Sequence, residues 1–191
     1  MRLFVAVDAG VAAARAGPLL DDLRQRAARL SPRARITWVA PSRLHLTVRF
    51  IGHADAARAA EIQAVMAPPL ETRAFELGFA GLGAFPPSGK PHVLWAGIAA
   101  GEADLQRIER EVSARLATVG IPPEDRAYRP HLTLARIREA AGLRAATLFA
   151  GLEQASLGAA RCEAITLYES RLSSNGPTYL PLVRTPLSGW P

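Results

Sequence analysis

The chain has 191 residues, 49% of them hydrophobic, and a formal net charge of +6. That length and content suit one sizeable core and argue against disorder; the single cysteine excludes an internal disulfide framework, and no window approaches the ~18 to 20 apolar residues that cross a bilayer. Net charge favours an anionic partner such as nucleic acid, but 22 of the 23 basic residues are arginine and many sit beside alanine, as on solvated helix faces, so the class indicated is a cytoplasmic enzyme or binding protein.

In chain order, the Phe- and Val-rich run 2–8 reads as a buried strand; Asp8 interrupts it too early for a signal peptide. An amphipathic helix is expected over about Val11 to Leu30, broken by Ser-Pro-Arg at 31–33. The segment 36–52 reads as two extended pieces separated by the Ala40-Pro41-Ser42 turn signal and closed by Gly52. Asp55 to Met66 is helical in composition, ended by Pro68 and Pro69. Residues 71–85 read as a strand entering a Gly-rich loop, and His92 to Ile98 as a further strand. The second half repeats the theme: a helix from Ala103 to about Val119, a Pro-rich loop at 120–130, a strand from His131, and a short helix near Ala140 to Phe149. Two last strands, 161–172 and 178–187, flank a Ser-Asn-Gly-Pro turn. With no linker or low-complexity run, residues 1–191 read as one compact domain of two strand-helix-strand lobes.

The chemistry lies in a repeated string, Arg-Leu-His-Leu-Thr-Val at 43–48 and Arg-Pro-His-Leu-Thr-Leu at 129–134. Alternation along a strand puts His45, Thr47 and Arg49 on one face and Leu46 and Val48 on the other; His131 and Thr133 lie likewise opposite Leu132 and Leu134. Each motif therefore buries two aliphatic residues and presents an imidazole and a hydroxyl to a polar groove. A histidine pair can supply one base and one acid near neutral pH, which in-line displacement at phosphorus requires, and threonine hydroxyls can hold the non-bridging oxygens. A lone His-x-Thr is more often structural, but two copies consume half of the four histidines. His53 and His92 read as surface or capping residues. A zinc site built on His45 and His131 lacks metal-ligand spacing, and Cys162 reads as a small buried hydrophobe.

These motifs and their flanks resemble the two-histidine (2H) phosphoesterase superfamily, specifically the LigT-like RNA 2',3'-cyclic phosphodiesterases, also called 2'-5' RNA ligases. The likeness takes in the opening RLFVAVD, both motifs, the segment LGAFPPSGKPHVLWAGI and the ending LYESRLSSNGPTYLPL. It implies an α+β, bilobal fold with antiparallel-rich sheets around a central cleft, one motif per lobe. It also implies metal-independent hydrolysis of RNA 2',3'-cyclic phosphate ends to 2'-phosphomonoesters, with no cofactor, no membrane and no obligatory protein partner. His45 would be the proton donor, His131 the proton acceptor, and Thr47, Thr133 and Arg136 would bind the phosphate. Simple alternation turns Arg136 away from His131, so this role requires a strand end or bulge. The same chemistry would join a 2',3'-cyclic end to a 5'-hydroxyl, an ATP-independent 2'-5' ligation. Alternatives are a non-catalytic RNA-binding module and a phosphodiesterase for a small non-RNA cyclic phosphate. Phe85 and Tyr168 are candidates for stacking on a base, with core packing the blander role.

Overall fold

The computed structural model describes residues 1–173 and 176–189. Ser174 and Asn175, at the centre of the turn expected between the last two strands, lie outside the described residues. Among the described residues the order is β1 (Arg2–Asp8), α1 (Val11–Leu30), β2 (Arg35–Trp38), β3 (His45–His53), α2 (Ala56–Met66), β4 (Leu70–Arg73), β5 (Phe75–Phe85) and β6 (Val93–Ala100). There follow α3 (Glu102–Thr118), β7 (Leu132–Glu139), α4 (Ala145–Phe149), β8 (Ser156–Cys162), β9 (Ala164–Ser173) and β10 (Gly176–Ser188). The Ala40-Pro41-Ser42 signal becomes a single 3-10 turn, Pro41–Arg43, directly before β3.

The strands run side by side as β4-β10-β9-β1-β3-β7-β6-β5-β8, with β2 also on β7. The seam between β3 and β7 is one antiparallel pair, Leu46 opposite Leu132. It divides the sheet into two lobes, but these are not consecutive halves of the chain. Helix α1 leaves β1 in the first lobe and packs on β8 in the second; α3 leaves β6 in the second lobe and returns to pack on β3 and β4 in the first. The first lobe thus joins β1, β3 and β4 to β9 and β10 from the other end of the sequence, and the second holds β2 and β5 to β8.

Helix burial follows the sequence pattern. Helix α1 buries Ala12, Ala16, Leu20, Leu23 and Ala27, and α3 buries Leu105, Ile108, Val112 and Leu116, both at three- and four-residue steps. The Asp55 carboxylate accepts from the Arg58 backbone N–H at 2.8 Å, capping α2. All five interior residues of β1 are buried, because Leu3, Val5 and Val7 join the helix-covered core while Phe4, on the other face, is roofed by aromatic rings.

Two expectations change. The Gly-rich stretch ending at Phe85 is strand throughout, not a loop. Gly83 makes room for a ring, since a Cβ there would lie 2.2 Å from the Trp95 indole; on the paired strand β6 a Cβ on Gly97 would lie 2.9 Å from the Ala80 carbonyl oxygen of β5. Strand β8 was not visible in the sequence, since Ser-Leu-Gly-Ala-Ala-Arg-Cys has little β-propensity; pairing along β5 overrides it. Cys162, at its end, is buried, and burial pushes its thiol pKa up to about 12. No helix among the described residues is long and apolar enough to cross a membrane.

Candidate active site at the lobe seam

The Leu46–Leu132 pair is the centre of a local two-fold relation. Continuing the antiparallel register one residue each way brings His45 opposite Thr133 and Thr47 opposite His131. The two leucines are fully buried, so the four polar side chains share the opposite, cleft-facing surface, where all four are partly exposed. Both motifs therefore converge at one point of one sheet.

Each imidazole is fixed in the same way. Nδ1 of His45 donates to the Arg43 carbonyl at 2.9 Å, and Nδ1 of His131 to the Arg129 carbonyl at 2.7 Å. The carbonyl belongs to the residue two before the histidine, which is arginine in both copies of the repeat. Holding the proton on Nδ1 leaves Nε2 as the atom that exchanges a proton with a bound molecule. Aromatic walls flank the rings: Phe4 and Tyr179 lie 5.1 and 4.9 Å from His45, and Phe85 lies 5.1 Å from His131, edge to face. Phe85 also packs on Trp95 at 5.2 Å.

A matching irregularity sets which later residues join the site. Thr47 pairs with Ala6 and Arg49 with Val5, leaving Val48 as an extra residue; Thr133 pairs with Trp95 and Ala135 with Leu94, leaving Leu134 extra. Each bulge falls three residues after its histidine and reverses the alternation beyond it. Arg136 is thereby returned to the histidine face, exposed and close enough for its charge to lower the pKa of both imidazoles.

The same shift corrects the expectation for Arg49, which does not share the face of His45. It is buried under the sheet against α3, with Nη1 3.9 Å from carboxylates of both Glu109 and Glu124, and Nη2 donates to the Pro122 carbonyl. Tyr128 donates to the Thr47 carbonyl at 3.3 Å. The first motif's strand thus ties down the loop that carries the second histidine. A hollow of about 480 Å³ between α3 and this loop contains neither histidine.

Electrostatics separates the two imidazoles. Burial is the largest influence on each and lowers both pKa values; the carbonyl partners raise them and Arg136 lowers them. Asp8 raises the pKa of His45 alone. It stands opposite His45 in the β1–β3 register and accepts from the Tyr168 hydroxyl. A cleft of about 460 Å³ opens here, lined by Asp8, Arg43, His45, Tyr168 and Tyr179. Sequence reasoning missed Asp8, Tyr179 and Trp95, which have no local motif. Arg43 and Arg129 were legible as part of the repeat. His53 and His92 are exposed and outside this cluster, and among the described residues no group of three or more His, Cys, Asp or Glu comes together as a metal site would need.

Two lobes joined at paired His-x-Thr strands define the two-histidine phosphoesterase fold. The chain superposes on TT0787 of Thermus thermophilus with a TM-score of 0.73, 27% identity and 99% of each chain covered. On Escherichia coli LigT complexed with 3'-AMP the TM-score is 0.71 over 98% of each chain, a likeness in fold at 23% identity. A family model described as the 2'-5' RNA ligase superfamily matches residues 13–173, and the chain belongs to that superfamily. The RNA 2',3'-cyclic phosphodiesterase of Aeropyrum pernix is 37% identical over 139 residues, covering 72% of this chain and 78% of that protein. That of Archaeoglobus fulgidus is 30% identical over 186 residues, covering 95% and 98%.

Proposed function

We propose that the protein is an RNA 2',3'-cyclic phosphodiesterase that opens terminal cyclic phosphates to 2'-phosphomonoesters without a metal ion or cofactor. Water loses a proton to Nε2 of His131 and attacks phosphorus. The bond from phosphorus to the 3'-oxygen breaks in line, and that oxygen takes its proton from Nε2 of His45. Thr47 and Thr133 donate to the non-bridging oxygens, and Arg136 offsets the charge that grows there. Proton exchange with solvent resets the histidines. With a 5'-hydroxyl in place of water as the nucleophile, the same steps, with loss of the 3'-oxygen from phosphorus, form a 2'-5' linkage without ATP. Residues 1–191 act as one unit with one motif per lobe, in the cytoplasm, on RNA ends.

The observation that carries this reading is the meeting of two carbonyl-oriented imidazoles at one seam with Asp8 beside His45. Asp8 favours the charged form of His45, the state an acid needs, and among the described residues no carboxylate raises the pKa of His131. The name borne by relatives in two archaea supports the substrate class.

The test is the pH dependence of kcat/KM on an RNA with a 2',3'-cyclic phosphate end. A bell is expected, its acidic limb reporting His131, which must be neutral, and its alkaline limb His45, which must be charged. Because Asp8 raises the His45 pKa, Asp8→Asn should move the alkaline limb to lower pH and leave the acidic limb in place. A shift of the acidic limb instead would reverse the two roles, and absence of hydrolysis by the intact protein would sink the proposal.

A further inference from the structure

Phe50 is 53% exposed although it belongs to β3, a strand inside the sheet. Its place has a meaning in the local two-fold relation. Both strands carry a bulge at the same point, so the residue five after each histidine returns to the cleft face: Arg136 in the second motif, Phe50 in the first. Where one lobe presents a guanidinium, the other presents an apolar ring.

That ring continues an aromatic floor. Phe50 lies 6.3 Å from Phe4, which lies 5.1 Å from His45 and is stacked against Tyr168 at 5.4 Å, with Tyr179 edge-on at 5.1 Å. Phe4 is buried as the central tile, while Phe50 forms the open end of the floor away from the histidine. The rim is cationic: Arg2, Arg43 and Arg136 are near enough to Tyr179 for their charges to favour its ionised form. Among the described residues no carboxylate pairs with any of the three. Exposed Phe50 and half-buried Tyr168 and Tyr179 around the buried Phe4, edged by arginines without a carboxylate partner among the described residues, offer what single-stranded nucleic acid takes, its bases on the rings and its phosphates at the cations.

We propose that Phe50 is a base-stacking platform for the RNA nucleotide upstream of the terminal one, making the site selective for oligonucleotide ends over cyclic mononucleotides. The inference rests on the phosphodiesterase reading, with the terminal nucleoside on the His45 side because His45 serves the 3'-oxygen of that ribose. The next nucleotide then runs past Phe4 towards Phe50. A mononucleotide cannot reach it.

The experiment compares kcat/KM for a trinucleotide with a 2',3'-cyclic phosphate end and for the matching 2',3'-cyclic mononucleotide, in the wild type, Phe50→Ala and Phe50→Trp. The ratio of oligonucleotide to mononucleotide is expected to fall on the order of tenfold in Phe50→Ala, the scale of one lost base stack, and to be kept in Phe50→Trp. An unchanged ratio in Phe50→Ala overturns the inference and leaves the phosphodiesterase reading standing. Affinities for the corresponding 2'-phosphorylated trinucleotide and mononucleotide are measured in parallel, so that absence of turnover counts against the activity while the binding ratio still decides the role of Phe50. Sedimentation completes the test: a wild-type dimer that Phe50→Ala dissociates, with no change in either ratio, would assign the ring to a second copy of the chain instead.

Discussion

Replacing either cleft histidine by alanine is expected to lower kcat/KM on an RNA 2',3'-cyclic phosphate by about 10²- to 10⁴-fold, the usual worth of one positioned acid or base. Both rings are only partly buried and are held by a single backbone carbonyl each, so His45→Ala and His131→Ala should keep cooperative thermal unfolding. The two losses should respond differently to the leaving group. An aryl phosphodiester whose nitrophenolate departs unprotonated makes the acid dispensable, so His45→Ala should recover most of its activity on it and His131→Ala should not. The opposite pattern would exchange the roles. Combining the two substitutions should cost far less than the product of the single losses, since groups acting in one step are not additive.

Arg136→Ala is expected to lower kcat/KM by about 10²-fold, as removal of one donor aimed at a transition-state oxyanion does. It carries a second signature. The Arg136 charge lowers the pKa of both histidines, so its loss raises both, and the whole pH–rate bell should move to higher pH with little change in width. Arg136→Lys should restore much of the bell's position, because the charge returns, but less of the rate, because a lysine cannot offer two donors in a fixed plane. A residue that merely stabilised β7 would not move the bell.

The histidines and threonines were legible because they form an identical local string, and a strand's two-residue period is enough to put them on one face. Beyond the fourth residue that period fails. Arg49 and Arg136 exchange faces at bulges defined by the register with β1 and β6, a tertiary property that neither string contains. The role carried over to Arg136 required a strand end or a bulge before it, and a bulge is there; its twin before Arg49 had no such prompt. Asp8 closes β1, far from His45 in sequence, and only the pairing of β1 with β3 brings them opposite. The glycines of β5 suggested a loop because composition cannot reveal that the Trp95 ring lies across Gly83. The order of elements was read well, whereas the weaving of α1 and α3 between lobes depends on long-range packing.

The most direct test is identification of the product. An RNA ending in a 2',3'-cyclic phosphate is incubated with the intact protein in excess EDTA, and the new terminus is assigned by its phosphorus resonance against authentic 2'- and 3'-phosphates. The proposed acid–base pair at the seam predicts a 2'-phosphomonoester formed at the same rate with and without the chelator. A 3'-phosphate, a reaction that stops with chelation, or an unreacted cyclic end would contradict it.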